Sequence, residues 1–380
     1  MRSQNVYDTG LELSNPTYIT PEVDEEMKGT RVFPNDVLLN ITGGSIGRCC
    51  IFPETLETAN VNQHVSIIRV NKNVFLPEFM HYYWISPLGS MAISLYQTGG
   101  NREGMSAEAI KNTPIILMPL VEQKLICKVL DAKCAEIDAV LDKTRTSIEE
   151  YKKLKQAIIT QAVTKGIRGD RPMKESGVIW LDTVPAEWTI SKIKYTIFPK
   201  EKPVLPMDEV ITCFRDGTVT LRRNRREEGF TISFTENGYQ GVDVGDLVIH
   251  GMDTFAGAIG CSDSRGKTSP VVHVCSTVGN NRYFMYFLRY MAYSGVLMDF
   301  SNGVRIRSSD FRNFKKLAVF EMLVPPLREQ NKIVDYLDST LAKIDQVIKQ
   351  KEILISELEA CKKSAIYEYV TGKKEVPNAY

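Results

Sequence analysis

No run of 18 apolar residues occurs in this chain of 380, so no membrane-spanning helix is expected. Residues 1–20 lack the apolar centre of a secretion signal, and a cytoplasmic location is the expectation. No Cys-x-x-Cys pair occurs among the eight cysteines. Cys49 and Cys50 are adjacent, and Cys127, Cys134, Cys213, Cys261, Cys275 and Cys361 are scattered. The four histidines, His64, His81, His250 and His273, complete no zinc spacing. Buried free thiols and no metal are therefore expected. An excess of charge is also missing: 47 Lys and Arg face 46 Asp and Glu. Any surface built for a polyanion must then be local. There is no GxxxxGK[ST] phosphate loop, and Gly43-Gly44-Ser45-Ile46-Gly47 does not match a dinucleotide fingerprint. No Ser/His/Asp set is evident, so no catalytic residue is assigned.

What is present is a repeat. Pro119-Leu120-Val121-Glu122-Gln123 and Pro326-Leu327-Arg328-Glu329-Gln330 stand 207 residues apart. At that offset, without a gap, Ile126, Leu130, Asp131, Ala135, Ile137 and Asp138 fall on Ile333, Leu337, Asp338, Ala342, Ile344 and Asp345. Further on, Val140, Glu150, Lys155, Val163 and Thr164 fall on Val347, Glu357, Lys362, Val370 and Thr371. This is an internal duplication. Each copy reads as one long helix. Its seam alternates three- and four-residue steps, as in a heptad core. The first seam is Cys127, Leu130, Cys134, Ile137, Leu141, Thr144, Ile148, Tyr151, Lys155, Ile158. The second is Val334, Leu337, Leu341, Ile344, Ile348, Lys351, Ile355, Leu358, Lys362, Ala365. Polar residues interrupt both at matching places. Two narrow stripes in one chain are expected to pack on each other, antiparallel, rather than on separate domains.

Short apolar runs between the helices read as strands: Val37–Ile41, Val65–Val70, Leu247–His250 and Val271–Cys275. One aromatic helix is expected in each segment, over Phe79–Trp84 and Tyr283–Tyr290. Asp36-Val37-Leu38 echoes Asp246-Leu247-Val248. The expected fold class is α/β (α+β), with two mixed domains separated by two long helices in an antiparallel coiled coil. Residues 1–117 form the first domain, which looks incomplete at its front. Residues 118–166 form the first long helix, 167–187 a linker, 188–323 the second domain, 324–373 the second long helix and 374–380 a tail.

The two Pro-Leu-x-Glu-Gln helices resemble those of the specificity subunit of type I restriction-modification systems. So do the lead-in from Met173 to Trp180 and through Val184-Pro185-Ala186-Glu187-Trp188, the run Phe214-Arg215-Asp216-Gly217 with Thr220-Leu221-Arg222-Arg223, and the stretch Asp246–Gly251. The resemblance implies two target-recognition domains, each reading half of a split sequence in double-stranded DNA, held apart by the two helices. It implies partners: type I modification (methyltransferase) subunits and restriction (translocase/endonuclease) subunits. S-adenosylmethionine, ATP and Mg would belong to those partners. The chain itself would be a non-catalytic, sequence-reading scaffold. The alternative is an assembly or regulatory subunit that reads one half-site and self-associates or only binds partners.

DNA-contact candidates follow. Arg222, Arg223, Arg225 and Arg226 form the densest basic cluster, softened by Glu227 and Glu228. Asn302, Arg305 and Arg307 are a second group, and Arg265 and Lys267 a third. In the first domain the analogous candidates are Gln63, Asn101 and Arg102. Asn15-Pro16-Thr17-Tyr18 is near the Asn/Asp-Pro-Pro-Tyr/Phe sequence of adenine methyltransferases, but Thr17 replaces a proline. It is expected to be a turn. Asp216-Gly217 is expected to close a hairpin.

Overall fold

The structure, a computed structural model, describes residues 1–96, 104–225, 236–299 and 311–376. The chain divides into two compact units, Met1–Thr146 with Gln350–Tyr380, and Ser147–Lys349. Each unit therefore owns one globular domain and a portion of both long helices. Among the described residues no helix is long and apolar enough to cross a membrane.

In the first unit, β1 (Val6–Tyr7) and β2 (Gly10–Leu11) form a short hairpin. Strand β3 (Arg31–Val32) pairs with β6 (Ala59–Asn60), and β4 (Val37–Asn40) lies between β5 (Cys49–Ile51) and β7 (Val65–Ile68). The period of two along β4 sends Val37 and Leu39 to one face and Leu38 to the other. Both faces are covered. Val37 and Leu39 pack with Phe79, Met80 and Trp84 of the aromatic helix Pro77–Ile85, while Leu38 packs with Val6, Cys50 and Phe52.

The second unit repeats this plan and adds to it. The additions are a hairpin of β8 (Met173–Val178) with β9 (Leu181–Pro185), and strands β10 (Thr189–Lys192) and β11 (Ile197–Pro199). Strand β12 (Ile211–Cys213) pairs with β13 (Val219–Leu221), and β14 (Gln240–Val242) with β17 (Gly266–Thr268). The central sheet runs β11, β18 (Val272–Thr277), β15 (Leu247–His250), β16 (Ile259–Cys261). As in β4, Leu247 and Ile249 face the aromatic helix Asn281–Tyr293, and Val248 faces the other layer. Strand β19 (Glu321–Val324) pairs with β10, Leu323 opposite Ile190.

Two expectations need correction. Residues 167–187 are not a plain linker, because they hold the β8–β9 hairpin. Its Val178, Leu181 and Val184 are buried beside Trp188 in the domain core. The second long helix starts at Leu327, not at Val324, because Val324 pairs with Thr189. Pro325 and Pro326 separate the strand from the helix and favour extended backbone before them.

The long helices are Leu120–Thr164 and Leu327–Val370. Within the first unit, Lys362 donates to both carboxylate oxygens of Asp138 at 2.7 Å, and Arg145 to Glu359 at 2.9 Å. Ile366, Tyr369 and Val370 share a core with Ile126, Cys127, Leu130 and Cys134. Within the second unit, Lys155 pairs with Asp345, and Ile159, Ala162 and Val163 share a core with Ile333, Val334, Leu337 and Leu341. Partner numbers rise on one helix as they fall on the other, so the packing is antiparallel. The seam residues Leu130, Leu141, Ile148, Leu337, Leu341 and Ile344 are buried, and Ile137, Ile348, Ile355 and Leu358 are half-buried. Apolar residues off the seam, such as Leu154 and Ile353, are exposed. The interruptions Lys155 and Lys362 form ion pairs to the opposite copy, and the offset of 207 maps one onto the other.

Candidate nucleic-acid interface

The repeated Pro-Leu-x-Glu-Gln motif fixes each domain to its helix. Gln123 is buried. Its Oε1 accepts from the Leu76 N–H at the start of the aromatic helix, and its Nε2 donates to the carbonyls of Val74 and Met118, at 2.8–2.9 Å. Gln330 accepts from the Asn280 N–H at 2.9 Å and donates to the Pro325 carbonyl at 2.8 Å. About two turns on, the Tyr82 hydroxyl donates to Asp131 and the Tyr286 hydroxyl to Asp338, both at 2.7 Å. These polar matches were visible in the repeat, but their partners lie about 50 positions away. The duplication marked them as shared without saying what they do.

In the second domain a cleft of about 880 Å³ lies between the β12–β13 hairpin and the ends of β15 and β17. Arg215, Arg222, Arg225, Tyr239, His250 and Asp253 reach it. The hairpin turns at Asp216-Gly217, as expected. Gly217 has φ near +90°, and a side chain there would strike the Arg289 guanidinium. Arg225 makes a two-pronged pair with Asp216 at 2.9 and 2.7 Å and lies 4.3 Å from the centre of the Phe214 ring. Arg215 donates to Asp253 at 2.9 Å, and Arg223 pairs with Glu209 at 2.6 Å. The arginine run is thus less basic than its sequence reads, because Glu209, Asp216 and Asp253 fold against it. In exchange the guanidiniums are aimed rather than free to swing. His250 lies half-buried at the cleft wall. Burial depresses its pKa, partly opposed by Asp253, so the ring stays neutral. Its Nδ1 accepts from the Asp253 N–H at 3.1 Å, which leaves the proton on Nε2.

The first domain has its own concavity of about 680 Å³. It is bordered by the loop after β2 and by β6, the counterparts of the β13 loop and β17. Met1, Arg2, Tyr18, Asp24 and Asn62 are among its lining residues. Asn15–Tyr18 is irregular, with a bend at Ser14–Asn15, and Tyr18 is exposed.

Residues 5–150 match the family described as the type I restriction modification DNA specificity domain. A Methanocaldococcus jannaschii protein named as the type I restriction enzyme MjaX specificity subunit is 21% identical over 393 aligned positions. The match spans 99% of this chain and 87% of that protein. Along nearly its whole length the chain is similar to a specificity subunit of type I restriction-modification systems. Solved structures share the fold of this chain. One comes from work on complex assembly and conformational transition of the type I R-M system. Its TM-score is 0.70 at 14% identity, covering 97% of this chain and 90% of that one. The HsdS subunit from Thermoanaerobacter tengcongensis gives 0.52 at 15% identity, covering 98% and 90%.

The candidate DNA contacts of this chain are scattered by the fold. Arg222, Arg223 and Arg225 gather at or beside the cleft. Arg265 is instead held by Asp208 and Asp243, with its Nε 3.0 Å from Asp208. It lowers the Asp208 pKa, and with Lys202 it lowers that of Asp243. This arrangement makes Arg265 a brace between loops. Lys267 pairs with Glu236 at 2.7 Å. Gln63 is exposed before β7, beside His64, whose Nδ1 lies 2.7 Å from the Thr42 hydroxyl. Arg226, Asn302, Arg305, Arg307, Asn101 and Arg102 lie outside the described residues. Sequence reading missed Arg215, Tyr239 and His250. Arg215 carried a signal, since it precedes the turn that presents it. His250 and Tyr239 did not, because only sheet pairing brings them to the cleft.

Among the described residues no cluster of His, Cys, Asp or Glu could hold a metal. All eight cysteines are free, and six are buried. Burial pushes the Cys127 and Cys213 thiols up to about 12.

Proposed function

We propose that this chain is a specificity subunit that reads double-stranded DNA with both domains, so that its target is split in two. The second domain reads through its arginine-bearing cleft. The observation that carries this is the cleft itself, where ion pairs point Arg215 and Arg225 into a concavity next to a neutral histidine. Oriented guanidiniums can engage phosphates or take the O6 and N7 edge of guanine in pairs. The reading extends to partners. Modification and restriction subunits supply the methyltransferase and nuclease chemistry and bind S-adenosylmethionine, ATP and Mg, while this chain contributes no catalytic group. The assembly works in the cytoplasm.

The test is DNA binding by the full chain with its cognate modification subunit, on a target found by methylation-sensitive sequencing. Arg215→Ala and Arg225→Ala should each weaken binding. A phosphate contact would lower the slope of log K against log salt by about 1, and a guanine contact would relax specificity at one base pair. Unchanged affinity, salt slope and methylation pattern in both variants would remove the cleft from the interface. Methyl transfer by the purified chain alone would contradict the non-catalytic assignment.

A further inference from the structure

In the second domain Asp253 ties two groups of the cleft together. Its carboxylate accepts from the Arg215 Nη2 at 2.9 Å, and its N–H donates to the His250 Nδ1 at 3.1 Å. His250 closes β15 opposite Val272, and its side chain lines the cleft with 22% exposure. Because Nδ1 accepts, the ring proton sits on Nε2. A second proton, on Nδ1, would face the Asp253 N–H. Nε2 has no hydrogen-bond partner among the described residues and is open to solvent. The carboxylates beside it are engaged, Asp216 by both prongs of Arg225 and Asp253 by Arg215. This part of the wall therefore presents a fixed N–H donor next to a fixed guanidinium, with no carboxylate left over to accept from a base.

We propose that His250 is a specificity-determining residue of this cleft, its Nε2–H and the Arg215 guanidinium together taking the paired acceptors of a guanine in one half-site. This rests on the reading of the cleft as a DNA-binding face, and it names the base that face selects. Guanine presents O6 and N7 side by side in the major groove, and both accept. Adenine keeps N7 but replaces O6 with an amino group, so a fixed donor would meet a donor. The tether from Nδ1 to Asp253 prevents the ring from turning an acceptor outward, and the exchange leaves a desolvated N–H without a partner. A neutral ring also discriminates between bases without displacing counterions, unlike a cation on a phosphate.

The full chain with its cognate modification subunit is titrated against duplexes of its target in which each guanine pair of the half-site is exchanged in turn for an adenine pair. In the parent, one exchange should cost at least about tenfold in affinity. At that same position 7-deazaguanine, which lacks the N7 acceptor, should also weaken binding, a measurement that needs no variant. His250→Asn keeps an acceptor for the Asp253 N–H but falls short of the base. The adenine exchange should then cost at least about threefold less, with the salt slope unchanged. His250→Gln restores reach with an amide that donates or accepts, so adenine and guanine should bind within about twofold of each other there. If Arg215→Ala weakens binding while the guanine preference survives in both histidine variants, the cleft stands and the His250 assignment falls. Indifference to 7-deazaguanine at every guanine overturns it too, as does a lower salt slope in His250→Asn, the mark of a phosphate contact. If Arg215→Ala is also without effect, the DNA-reading cleft has failed and the assignment with it.

Discussion

Gln123 and Gln330 make matching hydrogen bonds in the two units, yet Glu122 and Glu329, one position earlier, have opposite surroundings. The glutamine needs only the aromatic helix of its own domain, which both units possess. The glutamate needs Arg171 and Trp188, which arrive with the β8–β10 segment that only the second unit displays. Repeated sequence therefore carries repeated structure only as far as the partners are repeated too. The two clefts teach the same lesson. They sit at equivalent places, but one gathers arginines and the other is bordered by Arg2, Asp24 and uncharged residues.

The largest effect should come from breaking the asymmetric pair. Glu329→Ala takes the buried carboxylate from the buried Arg171 guanidinium, leaving it only Glu187, and should cost the second unit about 3 kcal/mol. Glu122→Ala should stay within about 0.5 kcal/mol. Thermal melts with peptide-resolved hydrogen exchange would measure both. Equal losses would erase the distinction drawn here. The pair also predicts a pH dependence. Burial works to raise the Glu329 pKa, but Arg171 and Trp188 bring it below the ordinary value. A depressed carboxyl stabilises the fold above its unfolded pKa, and that contribution is lost as pH falls through the folded value. The loss should vanish in Glu329→Gln.

A second asymmetry, next in size, concerns His81 in the first unit. Its Nδ1 is enclosed with no hydrogen-bond partner among the described residues. Burial depresses its pKa to about 4, opposed by Asp8 and Asp131 and reinforced by Lys362. Unfolded histidine takes a proton near pH 6.5, while the folded ring resists until about pH 4. Stability should therefore fall by about 2–3 kcal/mol between those values and level off below. His81→Phe should remove that slope from the first unit's unfolding curve and leave the second unit's unchanged. A slope that persists in the variant would locate the acid sensitivity elsewhere.

Much of this was legible beforehand, and the rest has identifiable reasons for having been hidden. The long helices were readable because a three-four spacing over about nine turns has no rival period. The central strands Val37–Asn40 and Leu247–His250 were readable because both faces are buried and every residue is apolar or nearly so. The β8–β9 hairpin was not. Met173–Gly177 shows almost no apolar face, and a bulge between Glu175 and Val178 breaks its period. The arginine run was legible as charge but not as geometry. Its neutralising carboxylates come from Glu209, Asp216 and Asp253, and Asp253 is 38 positions from the Arg215 it meets. Arg265 looked like a free cation for the same reason, since Asp208 lies 57 positions from it.

The smallest expected effect tests a feature that the two units share. Lys155 with Asp345 and Lys362 with Asp138 are the same pair copied by the duplication, each at a half-exposed seam position. Such pairs contribute roughly 0.2–1 kcal/mol, because solvent screens the charges and the side chains lose freedom. Lys155→Met and Lys362→Met keep the apolar stem in the seam. Each should change stability by less than about 1 kcal/mol, and by the same amount in its own unit. The pairs would instead matter for alignment, because a charged residue in a seam penalises slipped registers more than it stabilises the correct one. The double variant should melt within about 2 °C of the parent while losing hydrogen-exchange protection along residues 138–155 and 345–362. If protection is kept, the lysines do not set the register, and the apolar steps alone do.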